Sequence, residues 1–365
     1  MKLLHTSDLQ LDAPFLFLGE CGQRHREQLR QTFAGIVEMA QRGDYQVLLI
    51  TGDLFNSNRP LQSTVDTVLH LLGTLSIPVC ILPGNHDPYH SRSIYRRVTF
   101  PSNVTIFNKD LRFKVFPGLD LAIYGNAITS KGDGLRPLEG IHPHSGVRWH
   151  VAMAHGNIVS GLVEKPDRPI DPGEIEECGM DYVALGDWHS FADYSQGMIK
   201  AVYSGAPEPT AYHQEGAGFV ANVTLTDGGV QVEKVRVGKI RAGQVHINIS
   251  GRKESELHDL ILEHAGESRM VEVILSGLTE VGTLIDPAEM ETILRPDFYA
   301  LRICDQSHPE MDDISLSEYP PGHIIRKFIQ AMSEQILQAQ DRHHKEIAEQ
   351  ALQLGAALLQ GKDVI

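Results

Sequence analysis

The chain has 365 residues, 42% apolar and 22% charged, the balance of a globular protein with room for two or three domains and no disorder signature. Its 47 acidic residues outweigh 32 basic ones to give a net charge of −15, which excludes wrapping nucleic acid by bulk electrostatics alone. No run of about eighteen apolar residues occurs, and MKLLHTSD opens the chain without a signal-peptide core, so a cytoplasmic location and no membrane are expected.

In chain order, residues 2–6 (KLLHT) read as a strand. Residues 25–41 carry Leu29, Phe33, Ile36, Val37 and Ala40 at the spacing of one apolar helix face. Strand VLLI (47–50), a helix over 62–72 with Val65, Val68, Leu69 and Leu72 inward, and strand VCIL (79–82) continue a βαβαβ rhythm. That rhythm implies parallel strands covered by helices, with ligands at the carboxyl ends of the strands. From about residue 100 the pattern turns β-rich: VTIF, LAIY, WHVAMAH, DYVALG, KAVYSG, GFVANVTL and VQVEKVRV predict a second sheet packed on the first. After about residue 243 a helix (254–264) and strands at 270–275 and 298–303 predict a small α/β unit, and 322–361 reads as helical. Cys21, Cys80, Cys178 and Cys304 are scattered and form no CxxC pair, so they are expected to be reduced and structural.

Polar clusters follow the apolar strands one after another. Asp8 and Gln10 come after the first, Thr51-Gly52-Asp53 after the second and Pro83-Gly84-Asn85-His86-Asp87 after the third. Ala154-His155-Gly156 and Gly186-Asp187-Trp188-His189 follow two later ones. Taken singly, Asp8 or Asp53 would be a helix cap, Asn85 a turn residue and His155 a satisfied core histidine. Taken together they point to a metal centre, because structural residues have no reason to recur at every strand end.

SDLQLD, GDLFNSNRP, GNHD, AHG and GDWH resemble the five signatures of the calcineurin-like metallophosphoesterases. GDLF with its following proline, and ALGDWH, are most similar to the SbcD-type DNA exonuclease branch, whose members work with an SMC-like (SbcC-type) ATPase. The resemblance implies an α/β fold, a four-layer αββα sandwich over 1–240, a small α/β capping domain over 241–318 and a helical ATPase-binding tail over 319–365. It implies two divalent metal ions, one held by Asp8, Gln10, Asp53 and His189, the other by Asp53, Asn85, His155 and Asp187. His86 would act on the phosphate without ligating metal, with Asp87 nearby to orient it. Gln10 and Asp187 stand where the family usually has histidine. Both retain an oxygen donor, which suits manganese, or magnesium, better than zinc.

The implied function is metal-dependent exonucleolytic or endonucleolytic hydrolysis of DNA phosphodiesters in repair. A nucleotide phosphodiesterase and an inactive scaffold subunit are the alternatives. SRSIYRRV (91–98) brings Arg92, Arg96 and Arg97 behind the GNHD loop with Tyr89 and Tyr95 interleaved. They would grip DNA phosphates and stack on a base, or form a solvated helix face; the sequence favours neither. His142, His144, His150 and His213 lack ligand spacing and read as surface residues. In the tail, Ile325, Phe328, Ile329 and Met332 make an apolar stripe that would attach the ATPase or pack on the chain itself. DNA, the ATPase subunit and, as an option, a second copy of the chain are the expected partners.

Overall fold

Leu3 and Leu4 lie on opposite faces of the first strand, β1 (Lys2–Thr6), and both are fully buried, so the sheet must be covered on both sides. The computed structural model describes residues 1–130, 132, 134, 136–143, 146–159, 168–279, 285–309 and 319–361; His144 lies outside them. Two compact units form, Met1–Ala242 and Gly243–Ile365.

In the first unit β1 is followed by α1 (Cys21–Arg42), β2 (Val47–Thr51), α2 (Gln62–Gly73), β3 (Val79–Leu82), the single turn α3 (Ile94–Arg97) and β4 (Val104–Ile106). The four strands pair in parallel, Leu3 opposite Val47, Leu48 opposite Val79 and Val79 opposite Val104. Next come β5 (Phe113–Phe116), β6 (Leu121–Gly125), β7 (Trp149–His155) and a short parallel pair, β8 (Asn157–Ile158) with β9 (Pro169–Ile170). Helix α4 (Pro172–Glu177), β10 (Tyr182–Gly186), β11 (Ala192–Asp193) and β12 (Lys200–Tyr203) follow, and β13 (Phe219–Thr226) and β14 (Gly229–Arg236) close the unit.

Two six-stranded sheets result, in the orders β14-β13-β1-β2-β3-β4 and β11-β12-β10-β7-β6-β5. Leu3, Leu49 and Leu82 of the first and Ile123, Met153 and Ala184 of the second share one dry core. On the outer side of the second sheet, Ala152, Val183 and Tyr203 pack with Ile175 of α4. Leu4, Leu48 and Ile81 turn to the outer side of the first sheet, and the apolar faces of α1 and α2 are buried likewise. The layers are α, β, β, α. One expectation is corrected here: VTIF, GFVANVTL and VQVEKVRV join the first sheet, not the second. β13 lies antiparallel on β1, with Leu3 opposite Val223, so the strand that leads into Asp8 and Gln10 is central and cannot fray.

The second unit carries a three-stranded sheet of β15 (Arg241–Asn248), β16 (Gly266–Ser276) and β18 (Phe298–Asp305). Leu257 and Ile261 of α5 (Glu254–Leu262) and Met290 and Leu294 of α6 (Pro287–Leu294) pack on it. A short parallel pair joins β17 (Leu278–Thr279) to β19 (His308–Pro309). The tail forms two helices, α7 (Ile324–Leu337) and α8 (Arg342–Leu359). Ile325, Ile329 and Ile336 of the first bury against Leu352 and Ala356 of the second, with Phe328 and Met332 packed at the margin. Gly355 lets the helices approach, since a Cβ there would lie 2.2 Å from the Phe328 ring. The stripe expected to receive a partner is therefore the hairpin's own core. Ile347, Ala351, Leu354 and Leu358 are left outward on α8 at i, i+4, i+7 and i+11, with Leu359 exposed beside them. Among the described residues no helix is long and apolar enough to cross a membrane.

One buried side chain ties α1 to the loops near the carboxyl ends. Glu208 accepts from Thr32 Oγ1 (2.6 Å) and from the backbone N–H groups of Lys239 and Ile240 (2.8 and 3.0 Å). At the next residue, His25 Nε2 donates to Pro209 O at 2.8 Å. Gln28 Nε2 also donates to Glu208, at 3.2 Å, and these donors offset the burial that raises the Glu208 pKa. Glu208→Ala should lower stability by about 1–3 kcal/mol through four unmatched donors, read as a fall in the thermal unfolding midpoint.

Candidate metal centre

Asp8, Gln10, Asp53 and Asp187 all take positive φ angles, 53°, 49°, 53° and 95°. Backbone of this kind costs roughly 1–3 kcal/mol per residue and persists where the surroundings over-determine it. Here backbone bonds do so: Asp8 N donates to Gly52 O at 3.1 Å and Gln10 N to Asp53 O at 2.9 Å, lacing the loop after β1 to the loop after β2. Two glycines make the approach possible. A Cβ on Gly52, itself at φ +87°, would lie 1.8 Å from His155 Nδ1, and one on Gly84 would lie 2.1 Å from Asp53 Oδ1.

The strand ends deliver their side chains to one place. One atom each from Asp8, Asp53 and His155 lies within 4.8 Å of the others, and all three residues are buried. His155 Nε2 stands 3.7 Å from Asp53 Oδ1 and 3.6 Å from Asp187 Oδ1. Its Nδ1 is held by Thr51 O at 3.1 Å, so Nε2 is the ring nitrogen that faces the carboxylates. His189 Nε2 lies 3.8 Å from Asp8 Oδ1, and its Nδ1 is held by Thr210 Oγ1 at 2.7 Å and Gln214 Nε2 at 2.9 Å. Gln10 Nε2 donates to Asp53 Oδ2 at 2.7 Å and Asn85 Nδ2 to Asp187 Oδ1 at 3.0 Å. The two oxygens of Asp53 thus face different neighbours, Oδ2 toward Gln10 and Oδ1 toward His155.

The electrostatics are those of a crowded acidic site. Burial, together with the neighbouring Asp53 and Asp187 charges, lifts the Asp8 pKa to about 7 against the pull of His155. Burial and then the Asp87 charge lift that of Asp53 well above the carboxylate range. Burial holds His189 down to about 4, so it is neutral and able to ligate at ordinary pH. Gln10 Oε1, Asn85 Oδ1 and His155 Nε2 are buried with no hydrogen-bond partner among the described residues. Clustered carboxylates and unmatched neutral donors around one aspartate are what divalent cations satisfy. The residues fit such ions.

His86 stands at the rim, 45% exposed, with Nε2 3.9 Å from Asp53 Oδ2. Its ring is held by the carbonyl of Asn56, 3.1 Å from Nδ1. Asp87 is turned elsewhere, which corrects its expected role as the orienter of His86. Its carboxylate accepts from Gly84 N (2.8 Å), Phe55 N (3.0 Å) and Tyr95 Oη (2.5 Å), clamping the loop that bears Asn85 and His86. Tyr95 is thereby buried and unable to stack on a base. Arg92, Arg96 and Arg97 are exposed and Tyr89 is half-buried; the Arg97 guanidinium caps the carbonyl of Asn58. His142 and His213 are exposed, and His150 Nδ1 meets Tyr124 Oη at 2.9 Å.

The sequence reading missed Asn157, whose amide donates to Asp187 Oδ2, and the pair Thr210 and Gln214 behind His189. Asn157 had a signal, being a polar residue directly after AHG at a strand end. Thr210 and Gln214 had none, since they reach His189 from about 20 residues away in an irregular loop.

Two face-to-face sheets with carboxylates, amides and imidazoles converging at strand ends define an α/β sandwich with a candidate metal centre. The calcineurin-like phosphoesterase family pattern matches residues 1–191, just over half of the chain, and the chain belongs to that family. It is similar to the uncharacterized metallophosphoesterase YhaO of Bacillus subtilis (strain 168), 24% identical over 264 residues that cover 69% of this chain and 64% of that protein. The chain therefore spans less than two thirds of that relative's length. Among solved structures it is similar to a predicted phosphoesterase from Streptococcus pneumoniae TIGR4 (14% identity, 65% of this chain and 89% of that one, TM-score 0.29). It is also similar to a Vps29 double mutant from Entamoeba histolytica (14%, 65% and 99%, TM-score 0.27).

Because folded Asp8, near 7, holds its proton more tightly than an unfolded aspartate at 3.8, its own contribution to the stability of the metal-free chain is lost as pH rises from about 4 to 7, while buried His189 and His25, both held down to about 4, contribute in the opposite sense. In chelator-treated protein, Asp8→Asn should therefore gain in melting temperature relative to the unsubstituted chain on going from pH 5 to pH 8. Added divalent cation should raise the midpoint more at pH 8, where it no longer competes with protons.

Proposed function

We propose that the chain is a divalent-metal-dependent phosphodiesterase whose substrate is DNA. The observation that carries the hydrolytic reading is Asp53, buried between two sets of unmatched donors, with an exposed imidazole 3.9 Å away. Asp8, Gln10 and His189 would hold one cation and Asn85, His155 and Asp187 the other, with Asp53 shared. Bound there, the cations supply Lewis acidity to the phosphoryl oxygens and to the attacking water. The chain's own groups do the rest. Gly84 and Gly52 let the backbone pass against Asp53 and His155 with no side chain in the way, Asp87 fixes the loop, and Asn56 O fixes His86 so that Nε2 faces the substrate. Protonated, His86 donates from Nε2 to the developing charge or the leaving oxygen.

DNA as substrate is supported by the exposed Arg92, Arg96 and Arg97 behind the loop and by the sequence resemblance to SbcD-type nucleases. A net charge of −15 opposes unaided DNA binding, so an SMC-like ATPase would supply positive surface. The outward stripe of α8, through Ile347, Leu354 and Leu358, fits such a contact. A mononucleotide phosphodiesterase is the second reading, favoured if small diesters are cleaved and duplexes are not.

Asp53→Ala should abolish cation binding and activity together. His86→Ala should keep both cations and lose about 10²–10⁴-fold in turnover on bis-nitrophenyl phosphate and on linear duplex DNA, with manganese active and zinc nearly inert. An His86→Ala protein that no longer binds cation would overturn its role as a non-ligand. Leu354→Glu should leave diester hydrolysis intact and abolish co-purification with the ATPase, since an unpaired carboxylate would be buried at the contact. Co-purification at the wild-type level would refute this placement.

A further inference from the structure

Beside the metal centre, a cavity of about 450 Å³ has Gln10, His86 and His189 on one wall. Its other wall is apolar, formed by Pro14, Phe15, Leu16 and Phe17. We propose that this segment is a shelf for the base of the nucleoside esterified to the scissile phosphate. The proposal rests on the phosphodiesterase reading and narrows its substrate to nucleoside esters.

Leu16 is 85% exposed and Phe17 42%, an unusual display of large apolar side chains next to a cluster of carboxylates. The display is built, not frayed. Phe15 sits at φ 48°, a conformation that strains a bulky residue, and this turns its own ring inward to meet His25 edge-on at 4.6 Å. The same turn sends Leu16 and Phe17 outward, while Leu18 stays buried. The Arg26 guanidinium fastens the segment by donating to Pro14 O at 2.8 Å. Phe17 is oriented by the Tyr212 ring, edge-on at 5.5 Å, so its free surface is offered in a fixed direction. A rigid aromatic surface loses little entropy when a flat ring stacks on it.

The chemistry of the walls selects the occupant. An acyl chain would bury against Leu16 but would also cover Asn56, whose carboxamide has no hydrogen bond to another described residue and needs a polar edge. A nucleobase offers both a π face and a hydrogen-bonding edge. Among the described residues no lysine or arginine lines the cavity, which disfavours a second phosphate there. Gln10, His86 and His189 on the opposite wall set the phosphate end at the centre and the base end on the shelf.

Calorimetry on the full manganese-loaded chain tests this with adenosine 5′-monophosphate against ribose 5-phosphate, which share the sugar and phosphate and differ only in the base. Adenosine monophosphate should bind about ten-fold more tightly. Phe17→Ala should remove most of that difference and leave ribose 5-phosphate binding unchanged, while Phe17→Tyr keeps it. Leu16→Ala, at the most exposed position, should weaken the nucleotide alone by a smaller factor. Equal affinities for the two ligands in the wild type, or equal weakening of both by Phe17→Ala, overturns the shelf and leaves the phosphodiesterase reading standing. Binding of neither ligand overturns both.

Discussion

Buried carboxylates that cannot all be charged at once govern the first unit. Asp8 and Asp53 lie at 0% and 1% exposure, with Asp187 within hydrogen-bond reach of Asp8 through its backbone N–H and Asp87 on the adjoining loop. In a low-dielectric interior such a group keeps its protons or exchanges them for cations. The local architecture serves this constraint. Left-handed backbone at Asp8, Gln10, Asp53 and Asp187, and glycines where a Cβ would collide with His155 or Asp53, are the means by which the strand ends approach so closely.

The two departures from the family's usual histidines fit the same constraint. Gln10 adds a neutral amide, which donates to Asp53 without adding charge. Asp187 adds a negative charge and is compensated by amides from both sides, Asn85 on one oxygen and Asn157 on the other. Its charge still adds to the repulsion, helping to raise the pKa of Asp8 and of Asp53, and the two amides and the His155 imidazole offset part of that. The change at 187 is thus read together with Asn157, a pairing that explains why an altered ligand set still has the chemistry of a metal centre.

Away from the centre, apolar surface separates into what the chain covers and what it leaves open. The stripe on α7 is covered by α8, while the outward face of α8 and the Leu16–Phe17 shelf are not. The two open surfaces differ in character: one is a helix face with heptad-like spacing, suited to another helix, and the other a turn beside polar groups, suited to a small flat ligand.

Much of the fold and centre was legible in the sequence because the signals were local. Period-two and period-3.6 apolar patterns place β1 to β3, α1 and α2, and polar clusters after five strands, four of them with a glycine beside the polar residue, mark the candidate ligands. What tertiary structure alone decided depends on contacts between distant segments. Whether GFVANVTL lies beside β1 or in the second sheet is a choice of hydrogen-bond partner, and an alternating strand serves either sheet equally well. Whether the Phe328 stripe meets its own chain or another depends on Gly355, 27 residues later, admitting the ring. Asp87 was read as an orienter of its neighbour His86, yet its carboxylate turns to Gly84, Phe55 and Tyr95, because buried backbone donors and a hydroxyl outcompete an exposed imidazole for it. Residue types at strand ends determined that a metal could be held here; the packing of the sheets and loops decided which atoms face it.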